Sequence, residues 1–312
     1  LLVSLGHLSC DINGGALPAI LPFLRASYDL SYQATGGLMF AYACLSSMIQ
    51  PLFGLLSDRF SKPWFIPLGV LLAGCGLAAI GWMPGYWGIF AAIGLSGVGA
   101  ALFHPEGARF ANAVSGQNKG TGMSLFSIGG NGGFVLGPLL ATACLGAFGL
   151  PGTTIFAVLA VLTAGTLVWS IARMDATKKA GAAAGKASPA VGAEGETPGE
   201  NNWREFLKLT VSIVTRSITF VGFNTFIPLY WVSAFGQSTA TGAMALTFFC
   251  VCGVISNFFG GMLADKFGYR AVIRVVFALM PPVVAGFSLS NNLYAAWALL
   301  PLLGFVLYAP FS

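Results

Sequence analysis

The chain has 312 residues, of which 56% are hydrophobic and only 8% charged, with a formal net charge of +5. About a quarter of the residues of a soluble domain are charged, so this composition excludes a water-soluble globular domain. It fits a polytopic α-helical membrane protein, in which apolar runs face lipid and the backbone satisfies itself internally. The six cysteines (Cys10, Cys44, Cys75, Cys144, Cys250, Cys252) lie scattered in apolar runs without Cys-x-x-Cys spacing. They read as small packing residues rather than a disulfide framework or metal cluster.

Taken in order, about ten runs of roughly 20 residues are long enough to cross a hydrocarbon core of ~30 Å. They cover Leu1 to Leu24, Thr35 to Leu56, Trp64 to Met83, Trp87 to Ala111, Thr121 to Cys144 and Thr153 to Arg173. After a gap come Phe206 to Trp231, Thr241 to Leu263, Ala271 to Leu289 and Leu293 to Ser312. Lys and Arg concentrate in the connections after Leu56, Gly107, Ile171 and Leu263, and are absent around Pro84, Phe148, Phe235 and Asn291. By the positive-inside rule the charged set is cytoplasmic. The expectation is a multi-pass protein of the cell inner (cytoplasmic) membrane, with its N-terminus and central linker in the cytoplasm. The chain starts without Met inside the first run and stops inside the tenth, so it is expected to be a piece of a longer protein.

The span pattern divides the chain into an N-terminal six-helix bundle (1–173), a flexible linker (174–205) and the first four helices of a C-terminal bundle (206–312). The linker is small, polar and without an aromatic residue until Trp203, a composition that cannot bury enough surface to order itself. The two bundles are related: Gly54-Leu-Leu-Ser-Asp58-Arg59-Phe60 recurs as Gly261-Met-Leu-Ala-Asp265-Lys266-Phe267, an offset of 265 − 58 = 207. Internal duplication of this kind implies parallel repeats with a site at their interface near the bilayer midplane.

The repeated Gly-x-x-x-Asp-Arg/Lys-Phe resembles the loop motif of the major facilitator superfamily. The fold that this implies is all-α, with two six-helix repeats. The resemblance makes Asp58, Arg59, Asp265 and Lys266 a cytoplasmic gate that locks the halves together. Gly6-His7-Leu8 with Asp11, Gln50-Pro51, Pro63-Trp64, Phe103-His104-Pro105-Glu106 and Gly129-Gly130-Asn131 resemble the fosmidomycin-resistance exporters of that superfamily. Gly133-Phe-Val-Leu-Gly137-Pro138 resembles the fifth-helix signature of proton-coupled drug antiporters, with Ala141 standing where that pattern has its last glycine. Close helix packing explains the same small residues four apart.

An ionisable group inside a span costs at least ~2.5–3.5 kcal/mol and defaults to a functional candidate. His7, Asp11, His104, Glu106 and Arg216 qualify. Counting 1.5 Å per residue places Asp11 and Glu106 ~9 Å and Arg216 ~12 Å from the inner face, in one layer contributed by three helices. The superfamily resemblance puts those helices around a central cavity. Asp11, Glu106 and His104 are therefore the candidates for proton coupling. His104 and Glu106 project about 200° apart on a regular helix, and Glu106 is preferred. Arg216 is the candidate for an anionic substrate group through its fork of donors, with Asn224 and Asn131 as further substrate contacts. The competing structural readings are a local Glu106–Arg109 pair, an Arg216–Asp11 pair, and asparagines that only glue helices. His7 reads as a hydrogen-bonded helix residue near the interface.

The expected function is secondary active transport: a proton-coupled antiporter that exports a small anionic, fosmidomycin-like drug or metabolite by alternating access. A proton-coupled importer of an organic acid or sugar shares every buried charge, and a non-transporting membrane sensor is the alternative of another class. A metal exporter built on His7, Cys10 and Asp11, with His104 and Glu106 near, is disfavoured because Cys10 points about 100° from Asp11. His104-x-Glu106 lacks the further ligands of a zinc enzyme, so no enzymatic activity, cofactor or metal is expected. The expected partners are a small-molecule substrate, protons and the lipid bilayer, not nucleic acid, with the chain acting as a monomer.

Overall fold

The computed structural model describes residues 1–60, 63–115, 119–183 and 203–309. Among these, the side chains of residues 57, 58, 60, 119–121, 174–183, 205, 257, 258, 261, 264, 265 and 269 lie outside the description. Eleven α-helices follow one another among the described residues: α1 (Leu2–Tyr28), α2 (Tyr32–Met48), α3 (Gln50–Phe60), α4 (Phe65–Ala79), α5 (Tyr86–Val114) and α6 (Lys119–Phe148). Then come α7 (Thr154–Ala183), α8 (Trp203–Phe235), α9 (Thr239–Phe267), α10 (Tyr269–Ser288) and α11 (Leu293–Tyr308). Eight helical stretches are long and apolar enough to cross a membrane, and α11 is a shorter apolar helix.

Local chemistry sets the helix ends. Ser31 caps α2 by accepting the Ala34 N–H at 3.1 Å, and Asn292 caps α11 by accepting from Tyr294 and Ala295. Gly268 joins α9 to α10 through φ 83°, a left-handed conformation that costs glycine nothing. The run expected as a single helix over Thr35 to Leu56 divides at Ile49 into α2 and α3. Pro51 has no N–H to give to the carbonyl of Ser47, so the helical ladder is interrupted in this turn, while Tyr32–Leu56 as a whole remains one apolar stretch of membrane-spanning length. Helical backbone also reaches Ala183 and resumes at Trp203, so both ends of the 174–205 segment are helical, and residues 184–202 lie outside the described residues.

α1 organises the first half. It is absent from the eight apolar stretches because Ser4, His7, Ser9, Asp11 and Asn13 lower its hydropathy. Its polar stretch is covered by protein instead: residues from Ser9 to Pro22 are buried without interruption. α6, α5, α4 and α7 pack around it, and its contacts extend to α8 and α9 of the second half. In the second half α9 packs on α11, α8 and α10, while α6 and α9 meet across the two halves.

The α1–α6 contact is made by glycine. A methyl group added at Gly133 would lie 2.6 Å from the Ile12 nitrogen, one at Gly137 2.5 Å from the Ala16 nitrogen, and one at Gly15 2.7 Å from Phe134 Cα. The helices therefore touch backbone to backbone. Lipid offers no hydrophobic drive for helix association, so close van der Waals contact of this kind supplies it. The small residues read from sequence as an antiport signature are, in the folded chain, the surface that seats α1.

Candidate functional site

The polar turn of α1 faces α5 and α6, and three side chains meet there. Asp11 is 6% exposed, and its Oδ2 lies 3.1 Å from His7 Nε2, one helical turn back. Its Oδ1 lies 3.3 Å from His104 Nε2, which arrives from α5. The carboxylate thus sits between the two histidines, the only two in the sequence. The ligand atoms of all three residues lie within 4.8 Å of one another.

The surroundings fix this arrangement. His7 Nδ1 is 2.7 Å from the Phe126 carbonyl of α6. A carbonyl only accepts, so Nδ1 carries the hydrogen, and in a neutral ring Nε2 turns a lone pair towards Asp11. Two acceptors 3.1 Å apart repel unless a cation lies on or between them. The Phe126 ring stacks on His7 at 4.0 Å between centroids, Phe103 lies 5.8 Å from it, and His104 meets it edge-on at 5.3 Å. Gly130 closes the side towards α6: a methyl group there would fall 2.6 Å from His7 Nε2 and 2.8 Å from Asp11 Oδ2. Only glycine lets α6 approach the charged cluster this closely.

Glu106 takes a different partner. It is fully buried, and Arg109 grips it in fork geometry, with Nε 3.1 Å from Oε2 and Nη2 on Oε1. The i, i+3 pair expected as a structural alternative is therefore formed. α5 runs through Pro105 without a break, and His104 and Glu106 face different neighbours, as their angular separation requires. His104, the less favoured of the two on sequence grounds, is the one that reaches Asp11. His7, read from sequence as a hydrogen-bonded helix residue, makes its bond to the Phe126 carbonyl and is also an equal part of the cluster. Its spacing of four from Asp11 puts both side chains on one face of α1.

Arg216 belongs to the second half. It is 4% exposed on α8, its Nε donates to the Leu307 carbonyl of α11 at 2.6 Å with Nη2 on the same oxygen, and its Cζ stands 5.1 Å from the Phe220 ring centre. Asp11, Glu106 and Arg216 thus have distinct partners: the histidine pair, Arg109 and the α11 backbone. Asn224, further along α8, is 3% exposed, and its Oδ1 has no hydrogen-bond partner among the described residues. Asn131 lines a cleft of about 330 Å³ between α6 and Val254 of α9. A second groove, of about 590 Å³, separates α2 from α8 and is walled by Met39, Phe40, Ile218 and Phe226. Of the expected gate, Arg59 is exposed and Lys266 stands 5.3 Å from the Phe267 ring. The side chains of Asp58 and Asp265 lie outside the described residues.

Comparison with known proteins places this bundle. The Major Facilitator Superfamily pattern matches residues 3–312. The fosmidomycin resistance protein of Escherichia coli (strain K12) is 27% identical over 99% of this chain and 75% of its own length. The MFS-type transporter YfnC of Bacillus subtilis (strain 168) is 27% identical over 100% of this chain and 76% of its own. Among solved structures, a bacterial homologue of the human lysosomal transporter Spinster superposes with a TM-score of 0.75 over 99% of this chain and 71% of that one, at 16% identity. The resemblance read in the repeated loop motif and in the first five spans holds along the whole chain, and the family is one of transporters, not enzymes. This multi-pass membrane protein belongs to the Major Facilitator Superfamily.

Proposed function

We propose that the chain belongs to a proton-coupled antiporter that exports a small anionic drug or metabolite, fosmidomycin-like in chemistry, by alternating access. The observation that carries this reading is the buried carboxylate of Asp11 held between His7 and His104. A proton arriving there neutralises a charge at the centre of the first half, and its departure restores one. That change biases how α1 sits against α5 and α6, the kind of two-state element that alternating access needs. Glu106, held by Arg109, is the second carboxylate of the assignment, and His104 is the group that hands the proton to Asp11.

Arg216 is the proposed anchor for the anionic part of the substrate, with Asn224 and Asn131 as polar contacts on either side of the interface between the halves. A guanidinium suits a phosphonate or carboxylate because its planar donors match two oxygens at once. The similarity to the fosmidomycin resistance protein supports this substrate class. Asp58, Arg59, Asp265 and Lys266 remain the proposed gate on the cytoplasmic side. The arrangement of Lys and Arg along the sequence supports an inner-membrane protein with the N-terminus and the linker in the cytoplasm. A monomer is the working unit of this proposal. The division into bundles 1–173 and 206–312 around a linker is part of the same proposal.

The test uses the full-length protein in proteoliposomes loaded with fosmidomycin and subjected to a pH gradient. Outward drug movement driven by inward proton movement supports the reading. Accumulation of an organic acid or sugar in the same direction as protons, with no drug exchange, would replace it with an importer.

A further inference from the structure

We infer that His7, Asp11 and His104 form a binding site for a divalent transition-metal cation of the Zn²⁺ class, which pins α1 to α5. Three independent features of the site meet that requirement.

The first is the donor set. Two imidazole nitrogens and one carboxylate oxygen, with an open fourth position, are ligands that Zn²⁺ and its neighbours accept. Mg²⁺ and Ca²⁺ demand oxygen atoms instead. Cys10, the neighbour of His7 and Asp11 along α1, faces elsewhere. The third donor is His104 of α5, and Glu106 is held by Arg109 instead.

The second is distance. Tetrahedral ligands on bonds of about 2.0–2.1 Å stand about 3.3 Å apart. His7 Nε2 lies 3.1 Å from Asp11 Oδ2 and His104 Nε2 lies 3.3 Å from the other oxygen, Oδ1; with one ligand atom taken per residue, all three lie within 4.8 Å of one another. A cation bound there would draw the ligand atoms in from that spread towards the ~3.3 Å edge of a tetrahedral site through side-chain rotation.

The third is the support behind the ligands. A metal-bound histidine ordinarily donates its other ring N–H to a carbonyl or carboxylate, which fixes the ring and turns the free lone pair to the metal. His7 does this through Nδ1 to the Phe126 carbonyl at 2.7 Å, with the Phe126 ring stacked against it. The lone pair on His7 Nε2 then faces Asp11 Oδ2, two acceptors in contact that a cation between them would reconcile. A single proton would satisfy that one contact. The second imidazole, converging from another helix, supplies the third ligand that a metal needs and a proton does not.

Bound there, the ion would compete with the proton for Asp11 and, while bound, tie two helices together. Its binding depends on neither the direction nor the coupling of transport, so it is measured without a gradient or drug. The experiment titrates ZnCl₂ into untagged, full-length protein in detergent, read by calorimetry. In parallel, diethylpyrocarbonate modification is mapped by mass spectrometry. One Zn²⁺ per protomer is expected, with loss of carbethoxylation at both His7 and His104, no protection by Mg²⁺, and about tenfold or greater weakening in Asp11→Asn and His104→Gln. The wild-type modification pattern decides the matter even where a variant fails to fold. Absence of saturable binding, unchanged modification of the two histidines under Zn²⁺, or full affinity in a folded His104→Gln would overturn the site. Each of those results leaves the transport reading intact.

Discussion

His104 Nε2 of α5 lies 3.3 Å from Asp11 Oδ1 of α1, and this contact joins the two helices through the buried Asp11 carboxylate. On the other side of the carboxylate His7 completes the clamp, and α6 closes over it through Gly130. The charged centre of the first half and its tightest helix packing are therefore one structure.

That packing makes a direct prediction. In Gly133→Ala the new methyl group would press on the Ile12 nitrogen, and in Gly137→Ala on the Ala16 nitrogen, where backbone cannot retreat as a side-chain tip can. Overpacking of this kind costs about 1–3 kcal/mol. Both variants should unfold at lower temperature in detergent than the wild type, followed by tryptophan fluorescence. Gly146→Ala, which has open space around it, should unfold with the wild type.

Glu106 and Arg109 should behave as a unit. Arg109→Ala leaves a buried carboxylate without its fork of donors, a loss of roughly 1–3 kcal/mol. The double variant Glu106→Gln/Arg109→Gln removes the charge along with its partner. Thermal unfolding should rank Arg109→Ala below the double variant. A double variant no more stable than Arg109→Ala would show that the pair is not coupled.

Arg216 is predicted to set affinity for the anionic substrate. Arg216→Ala should weaken fosmidomycin binding by about tenfold or more, since a charged hydrogen-bonded contact contributes about 1.5–3 kcal/mol. Arg216→Lys should recover only part, because an ammonium cannot reproduce the planar fork. Equilibrium binding to purified full-length protein gives the comparison without any transport step.

How far these features were visible in the sequence depends on the range of the contacts that make them. Asp11 announced itself as an acid in an apolar run, and the Glu106–Arg109 pair followed from a spacing of three on one helix. Gly133 and Gly137, four apart, foretold a close helix contact but not which helix would fill it. The meeting of His104 with Asp11 could not be read, because nothing along one strand of sequence states how α1 is rotated against α5. Arg216 was found by its charge, while its partner, the Leu307 carbonyl, is a backbone group that side-chain patterns never reveal. The division of the second run at Ile49 was within reach: Gln50-Pro51 stood in the middle of the expected helix, and proline's missing N–H was the signal passed over.

The most direct test of the account is pH-gradient-driven drug exchange by full-length Asp11→Asn in proteoliposomes. Asparagine keeps the size and hydrogen-bonding capacity of the side chain but cannot gain and lose a proton. Loss of gradient-driven exchange, with drug binding to the folded variant retained, is the predicted result. Exchange at the wild-type rate would contradict the claim that the Asp11 carboxylate between His7 and His104 carries the proton.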